Sequence, residues 1–201
     1  ASLWDFVLYD TLRQEPNASL IMNCSINAAQ TDGQGLKSIT GWQLTTETYQ
    51  TVKAKYFIDC SGDGILAPLT GAEFRLGREA RAEFGESIAP EQADECTMGH
   101  TCLFFAEKYD RPQTFVPPAW AYSFPREEDL PYGPGGHKHI AAGYWWVELG
   151  GQMDRIRDTE KIRDELMRIV MGVWDHIKNH GDHGAENWAL SWLQFLPAKR
   201  E

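Results

Sequence analysis

The sequence predicts an α+β / α/β chain, and three observations carry the prediction. Three short β-rich runs follow one another across turn-length gaps between Ser19 and Cys60. The stretch FIDCSGDG, Phe57 to Gly64, then breaks from apolar residues into a small, acidic, glycine-rich turn ahead of a helical stretch. Farther on, Asp154 to His180 carries a long amphipathic pattern.

In chain order, Leu3, Phe6, Val7, Tyr9 and Leu12 share one side of a helix that should stop before Pro16. Ser19 to Ala28 reads as a strand, and Thr31 to Gly35 as a turn. Leu36 to Leu44 is a second strand, Thr45 to Thr48 a second turn, and Tyr49 to Cys60 a third strand. Strands joined this tightly form an antiparallel β-meander. The third becomes continuously apolar near its end, as strands buried on both faces do. Asp63 stands where a helix N-cap belongs, before Ile65, Leu66 and Leu69, with Gly71 as the C-terminal stop.

Residues 72–95 read as a charged loop with a short helix, and Thr97 to Phe105 as a strand. Residues 110–136 are rich in Pro, Gly and aromatics and read as a long ordered loop, a length that is usually functional when ordered. His139 to Leu149 is expected to be a strand. The helix over Asp154 to His180 is capped by Asp158 or Thr159 and carries an apolar stripe of Ile162, Leu166, Ile169, Val170, Val173, Trp174 and Ile177. A last strand, Trp188 to Leu196, alternates Trp188, Leu190 and Trp192 against Ala189, Ser191 and Leu193. The second half therefore reads as a mixed β-sheet plus a long helix.

With 201 residues, 42% hydrophobic and 24% charged, the chain can bury a sizeable core. Its formal charge of −10 argues against a nucleic-acid surface, which needs a concentrated basic patch. No window approaches the roughly 20 apolar residues a bilayer span requires, so no membrane partner is expected. Cys24, Cys60, Cys96 and Cys102 lack metal-site spacing and read as free thiols. The sequons at Asn17 and Asn23 are short enough to arise by chance. Without an initiator Met or signal-peptide pattern, the chain is expected to be an internal fragment, cytoplasmic or periplasmic.

The turn after Phe57 is the strongest local sign of chemistry. Small residues let a ligand approach the backbone, and a helix start presents unpaired N–H groups to an anion or a ribose hydroxyl. The same residues also suit a plain capped helix, and GxGxxG occurs nowhere in the chain.

The segment AKYFIDCSGDGILAPLTGAEFRLGRE, residues 54–79, resembles the bacterial FAD-dependent oxidoreductase family of the glutathione-reductase-like FAD-binding class. That family's strand-end motif is approximately IDATGDGDLA, followed by AGA and a GRE-type segment. The resemblance continues through residues 83–86, 89–90, 97–99 and 144–151, and so covers most of the chain. It implies an FAD-binding fold in which Cys60, Ser61, Gly62 and Asp63 pass the adenosine side of the cofactor. Ser25 would hold adenine through backbone atoms. Cys60 stands where Ala is usual, Ser61 where Thr is usual, and Ile65 replaces a second Asp. The family's N-terminal glycine-rich βαβ unit and its C-terminal flavin-binding segment are both missing, so the fragment is expected to bind FAD weakly or not at all.

By this resemblance residues 1–75 form a partial FAD-binding domain and residues 76–201 a substrate-side domain. The parent would transfer hydride from a small organic substrate to flavin, with a carbohydrate-related alcohol among the candidates. Arg78, His100 and Glu148 are candidate catalytic residues, beside Arg75, Glu79, His137 and His139. The charges of residues 75–86 also suit a solvated face. No metal site is expected: His137 and His139 have no third ligand in view, and His180 and His183 suit a helix C-terminus. The alternative is a non-catalytic carbohydrate- or protein-binding module built on Trp145, Trp146, Trp188 and Trp192, although buried strand aromatics explain these equally well. Unpaired sheet edges also open a route to homo-oligomers.

Overall fold

A computed structural model describes residues 2–131, 137 and 139–198. The chain divides into two compact units, Ala1–Arg75 and Leu76–Glu201.

The first unit opens with helix α1 (Ser2–Gln14), which ends ahead of Pro16 as proline's missing N–H requires. A meander of β1 (Cys24–Thr31), β2 (Leu36–Gln43) and β3 (Thr48–Lys53) follows, antiparallel and in the order β1-β2-β3. The turn between β1 and β2 is held by Asp32, whose carboxylate accepts the Gln34 N–H at 3.0 Å and pairs with Lys37 at 3.0 Å. Gly41 lets the strands close up: a Cβ there would lie 2.8 Å from both the Ser25 carbonyl oxygen and Cys24 Sγ.

Two strands differ from the sequence reading. β1 begins at Cys24, not Ser19, because Asn23 takes a positive φ of 54° and breaks the extended run. β3 stops at Lys53, not Cys60. Among the described residues it pairs with β2 alone, and the last pairing is Ser38 with Lys53. Residues 54–60 take no strand conformation, and Ile58 is 87% exposed, so the expected burial on both faces is not found within this unit. Helix α2 (Leu66–Thr70) follows the turn and packs against β1; Gly71, at φ 75°, terminates it.

The second unit holds helix α3 (Arg81–Phe84), β4 (His100–Thr101), β5 (Phe104–Lys108), β6 (Glu148–Leu149), α4 (Thr159–Asn179) and β7 (Trp188–Leu193). In place of one mixed sheet, the described residues form two antiparallel ladders, β4-β6 and β5-β7. The expected strand over residues 97–105 is divided between β4 and β5, and most of the one expected over residues 139–149 is turns.

Helix α4 is the spine of this unit. Its stripe residues Ile162, Leu166, Val170, Val173, Trp174 and Ile177 are buried. Phe104 stacks on Tyr144 with ring centroids 3.7 Å apart and meets Trp174 edge-on at 5.8 Å. Fully burying a side chain of this size contributes roughly 1.5–3 kcal/mol. The long aromatic loop is ordered because it lies directly on α4. The Tyr122 N–H donates to the Arg168 carbonyl at 3.1 Å, and a Cβ on Gly172 would come within 2.5 Å of the Tyr122 carbonyl oxygen. Residues 132–136, the end of that loop in the sequence reading, lie outside the described residues.

The alternation expected along β7 is interrupted by a bulge. Ala106 pairs with Leu190 while Phe105 pairs with Trp192, so the strand changes face at Ser191. Leu190 then packs on the core, and Trp192 lies beside the exposed Phe105 ring. Among the described residues no helix is long and apolar enough to cross a membrane.

Candidate functional site

The turn after Phe57 is built by its own side chains. Asp59 accepts the Ser61 N–H at 2.9 Å and the Leu66 N–H at 2.8 Å, while Ser61 Oγ accepts the Ile65 N–H at 3.1 Å. The α2 start is therefore satisfied from Asp59 and Ser61. The capping role expected of Asp63 passes to them, because α2 begins three residues after Asp63 with Ile65 in the cap position. Hydrogen bonds from Ser61, and then from the Leu66 backbone, hold the Asp59 carboxyl below its usual range. Gly62 and Gly64 take φ of 82° and 60°, a region costly for residues with a Cβ.

This loop leaves Cys60, Ser61, Gly62 and Asp63 exposed. Next to it is a concave face of about 790 Å³, open to solvent and lined by Gly33, Gly35, Lys55, Asp59, Gly64 and Gly71 among others. A Cβ at any of these four glycines would meet nothing within 4 Å, so backbone is bared toward open space. Ser25 is an exposed residue of β1, opposite Trp42, and does not line this face. The concavity is lined by the two ends of the turn, Asp59 and Gly64, and by the β1–β2 loop, while Cys60, Ser61, Gly62, Asp63 and Ser25 lie outside its lining.

In the second unit the candidate catalytic residues are separate from one another in role. Arg78 is tied into a two-stranded clamp: its backbone exchanges hydrogen bonds with Asp94, and its guanidinium forks onto the Asp94 carboxylate. Arg78 draws the Asp94 carboxyl down to about 2. A guanidinium engaged in this way locks the 77–94 segment. His100 is wholly buried on β4, with its Nε2 bonded to the Arg155 carbonyl at 2.8 Å. Its Nδ1 has no hydrogen-bond partner among the described residues. Glu148 accepts the Gly99 N–H at 2.9 Å. It also lines an open cavity of about 610 Å³ with Trp145, Trp146, Gly150, Gln152 and Met153. Trp145 is 64% exposed there, whereas Trp146 packs partly against the core.

The structure brings together one constellation that the sequence reading did not assemble. Nε2 of His137, His176 and His183 surrounds Glu127 Oε1 at 3.1, 3.4 and 3.7 Å. His183 Nε2 is 3.1 Å from His176 Nε2. The two rings expected to pair along a strand, His137 and His139, part company: His137 is buried and His139 exposed. Of the two expected to suit a helix end, His180 bonds Asp175 at 3.2 Å and His183 turns inward beyond Gly181 at φ 77°. Burial, reinforced by the neighbouring His137 and His176, holds the His183 imidazole below its usual range. Burial opposes the charged form of Glu127, but His137 and His176 outweigh it and keep the carboxyl low. The spacing His176, His180, His183 was the available signal. Glu127 and His137 are remote in sequence and only the fold supplies them.

A family model described as FAD dependent oxidoreductase matches residues 2–201, nearly the entire chain. No curated protein and no solved structure matches it.

Proposed function

The chain belongs to the FAD dependent oxidoreductase family, and from that premise we propose that the turn at residues 60–63 forms one wall of the adenosine part of the FAD site. The exposed turn beside a concavity of bared glycine backbone is the observation that supports this reading. The residues present suit a nucleotide. Cys60, Ser61 and Gly62 allow close approach of the backbone, and Asp63 brings an exposed carboxylate within one residue of Gly64. FAD is the family's cofactor and, when bound, supplies the two-electron acceptor of the oxidoreductase.

We further propose that the second unit serves the substrate side. The substrate would be a small organic hydride donor, with a carbohydrate-related alcohol the reading favoured by the Trp145–Glu148 cavity. An exposed indole offers an apolar platform to a sugar face, and Glu148, fixed by the Gly99 N–H, offers an acceptor for a hydroxyl proton. Glu148 is the candidate these surroundings favour over Arg78, engaged with Asp94, and over His100, buried away from solvent.

A second reading, a carbohydrate-binding module without catalysis, rests on the same cavity. One experiment separates the two. Flavin-loaded protein is mixed anaerobically with sugar alcohols and aldoses, and flavin absorbance is followed. Bleaching that Glu148→Gln slows at unchanged flavin content is expected. Glycan binding without bleaching, lost in Trp145→Ala, would instead favour the module.

A further inference from the structure

We propose that Glu127, His137, His176 and His183 form a four-ligand site for a divalent transition-metal ion, with zinc the ion that suits it best. The inference stands on geometry within the second unit alone. One ligand atom from each residue lies within 4.8 Å of the others. A tetrahedral ion with bonds of about 2.0–2.2 Å would set its ligand atoms about 3.3–3.6 Å apart. Four of the six separations between the ligand atoms, 3.1, 3.4, 3.7 and 3.1 Å, bracket that edge length.

Hydrogen bonding points the same way. His176 Nδ1 is 2.6 Å from the Phe124 carbonyl oxygen, and a carbonyl can only accept, so Nδ1 carries the proton. In the neutral ring Nε2 is then a bare lone pair, and it faces His183 Nε2. A ligating histidine that donates its other N–H to a backbone carbonyl is the arrangement that fixes the tautomer at metal centres. His137 Nδ1 is buried with no partner among the described residues, so no other hydrogen bond among them turns this ring away from the cluster. With its proton on Nδ1, neutral His176 turns the Nε2 lone pair toward Glu127 Oε1 at 3.4 Å, so two acceptors face each other there. A cation resolves this by meeting every lone pair at once.

The donor set, three imidazole nitrogens and a carboxylate, suits zinc and the neighbouring first-row ions. Its role is to join two segments. Glu127 and His137 come from the loop that precedes β6, and His176 and His183 from the last turn of α4 and the turn beyond it. The three rings are buried or nearly so, and all four positions are occupied by side chains, which marks a closed structural site. An ion there would fasten the aromatic loop to the end of α4.

The test uses the full chain, stripped with a chelator, dialysed and titrated with zinc ion alone. Elemental analysis should give about one zinc per chain, with about 2.0–2.2 Å bonds to nitrogen and oxygen by X-ray absorption. His183→Gln and Glu127→Gln should each weaken binding by at least about tenfold, while His139→Gln leaves it unchanged. Thermal unfolding of the unsubstituted chain should rise on adding zinc, which keeps the test decisive if a variant folds poorly. A stripped chain that takes up no zinc, or uptake equal in wild type and the two ligand variants, overturns the site. No flavin enters these readouts, so the result is independent of the cofactor assignment.

Discussion

Residues 59–64 and 176–183 each end an apolar run in a turn with glycine at positive φ, yet they come to opposite ends. The first turn satisfies its own backbone through Asp59 and Ser61 and remains open to solvent. The second sends His176 and His183 inward to meet side chains from a loop some 40–55 positions upstream. The difference follows from what surrounds them. Every buried hydrophobic side chain among the described residues lies at Ala89 or beyond, in the second unit. Among the described residues of the first unit only Ser38 and Gly41 are buried, and the apolar residues of α1 face solvent. A turn without a core beside it can present only itself; a turn at the end of a buried helix can bring distant groups to one point.

The largest effect should come from the core. Trp174→Ala, at a residue 1% exposed, should cost about 3–5 kcal/mol by chemical denaturation, whereas Leu3→Ala, at 79% exposed, should stay within about 0.5 kcal/mol. Comparable losses from both would remove the contrast between the units. Next in size is Gly172→Ala, which presses a methyl against the Tyr122 carbonyl and should cost about 1–3 kcal/mol. Limited proteolysis should then cut the 110–131 loop sooner, if the loop is held by α4 as the contacts indicate.

Smaller effects sharpen the account of the open turn. Asp59→Ala should speed amide exchange at Ser61 and Leu66, and Asp63→Ala should leave both unchanged, since Asp59 accepts both N–H groups. If Asp63→Ala has the larger effect, Asp63 caps the helix after all. The smallest change is acid-dependent. Asp94 has a depressed carboxyl, so the Arg78 clamp contributes fully above about pH 4 and is lost as pH falls through about 2. NMR shifts of residues 77–96 should titrate in that window, and Arg78→Ala should return the midpoint to the ordinary carboxylate range.

Local patterns were legible in the sequence, and partners were not. The α1 boundary, the β1–β2 turn and the α4 stripe each depend on residues within a few positions, and the structure places them close to where the pattern does. The pattern carries the third strand too far because apolarity at Ile58 suggests burial, whereas a strand is set by its pairing, and the pairing with β2 ends at Lys53 opposite Ser38. Simple alternation puts Trp192 on the face of Trp188 and Leu190, whereas the bulge at Ser191, which arises from pairing with β5, moves it to the other. At the candidate sites, the glycine-rich turn announced itself in eight consecutive residues. The imidazole cluster draws on positions 127, 137, 176 and 183, and nothing in their spacing shows that a loop will fold back onto a helix end.

The central claim is that residues 60–63 face the adenosine of FAD. Hydrogen exchange on the flavin-loaded and flavin-stripped protein tests it directly. The account predicts slower exchange at residues 60–64 when FAD is bound, with the buried stripe of α4 unchanged. FAD bound tightly with exchange at residues 60–64 unaffected would contradict it.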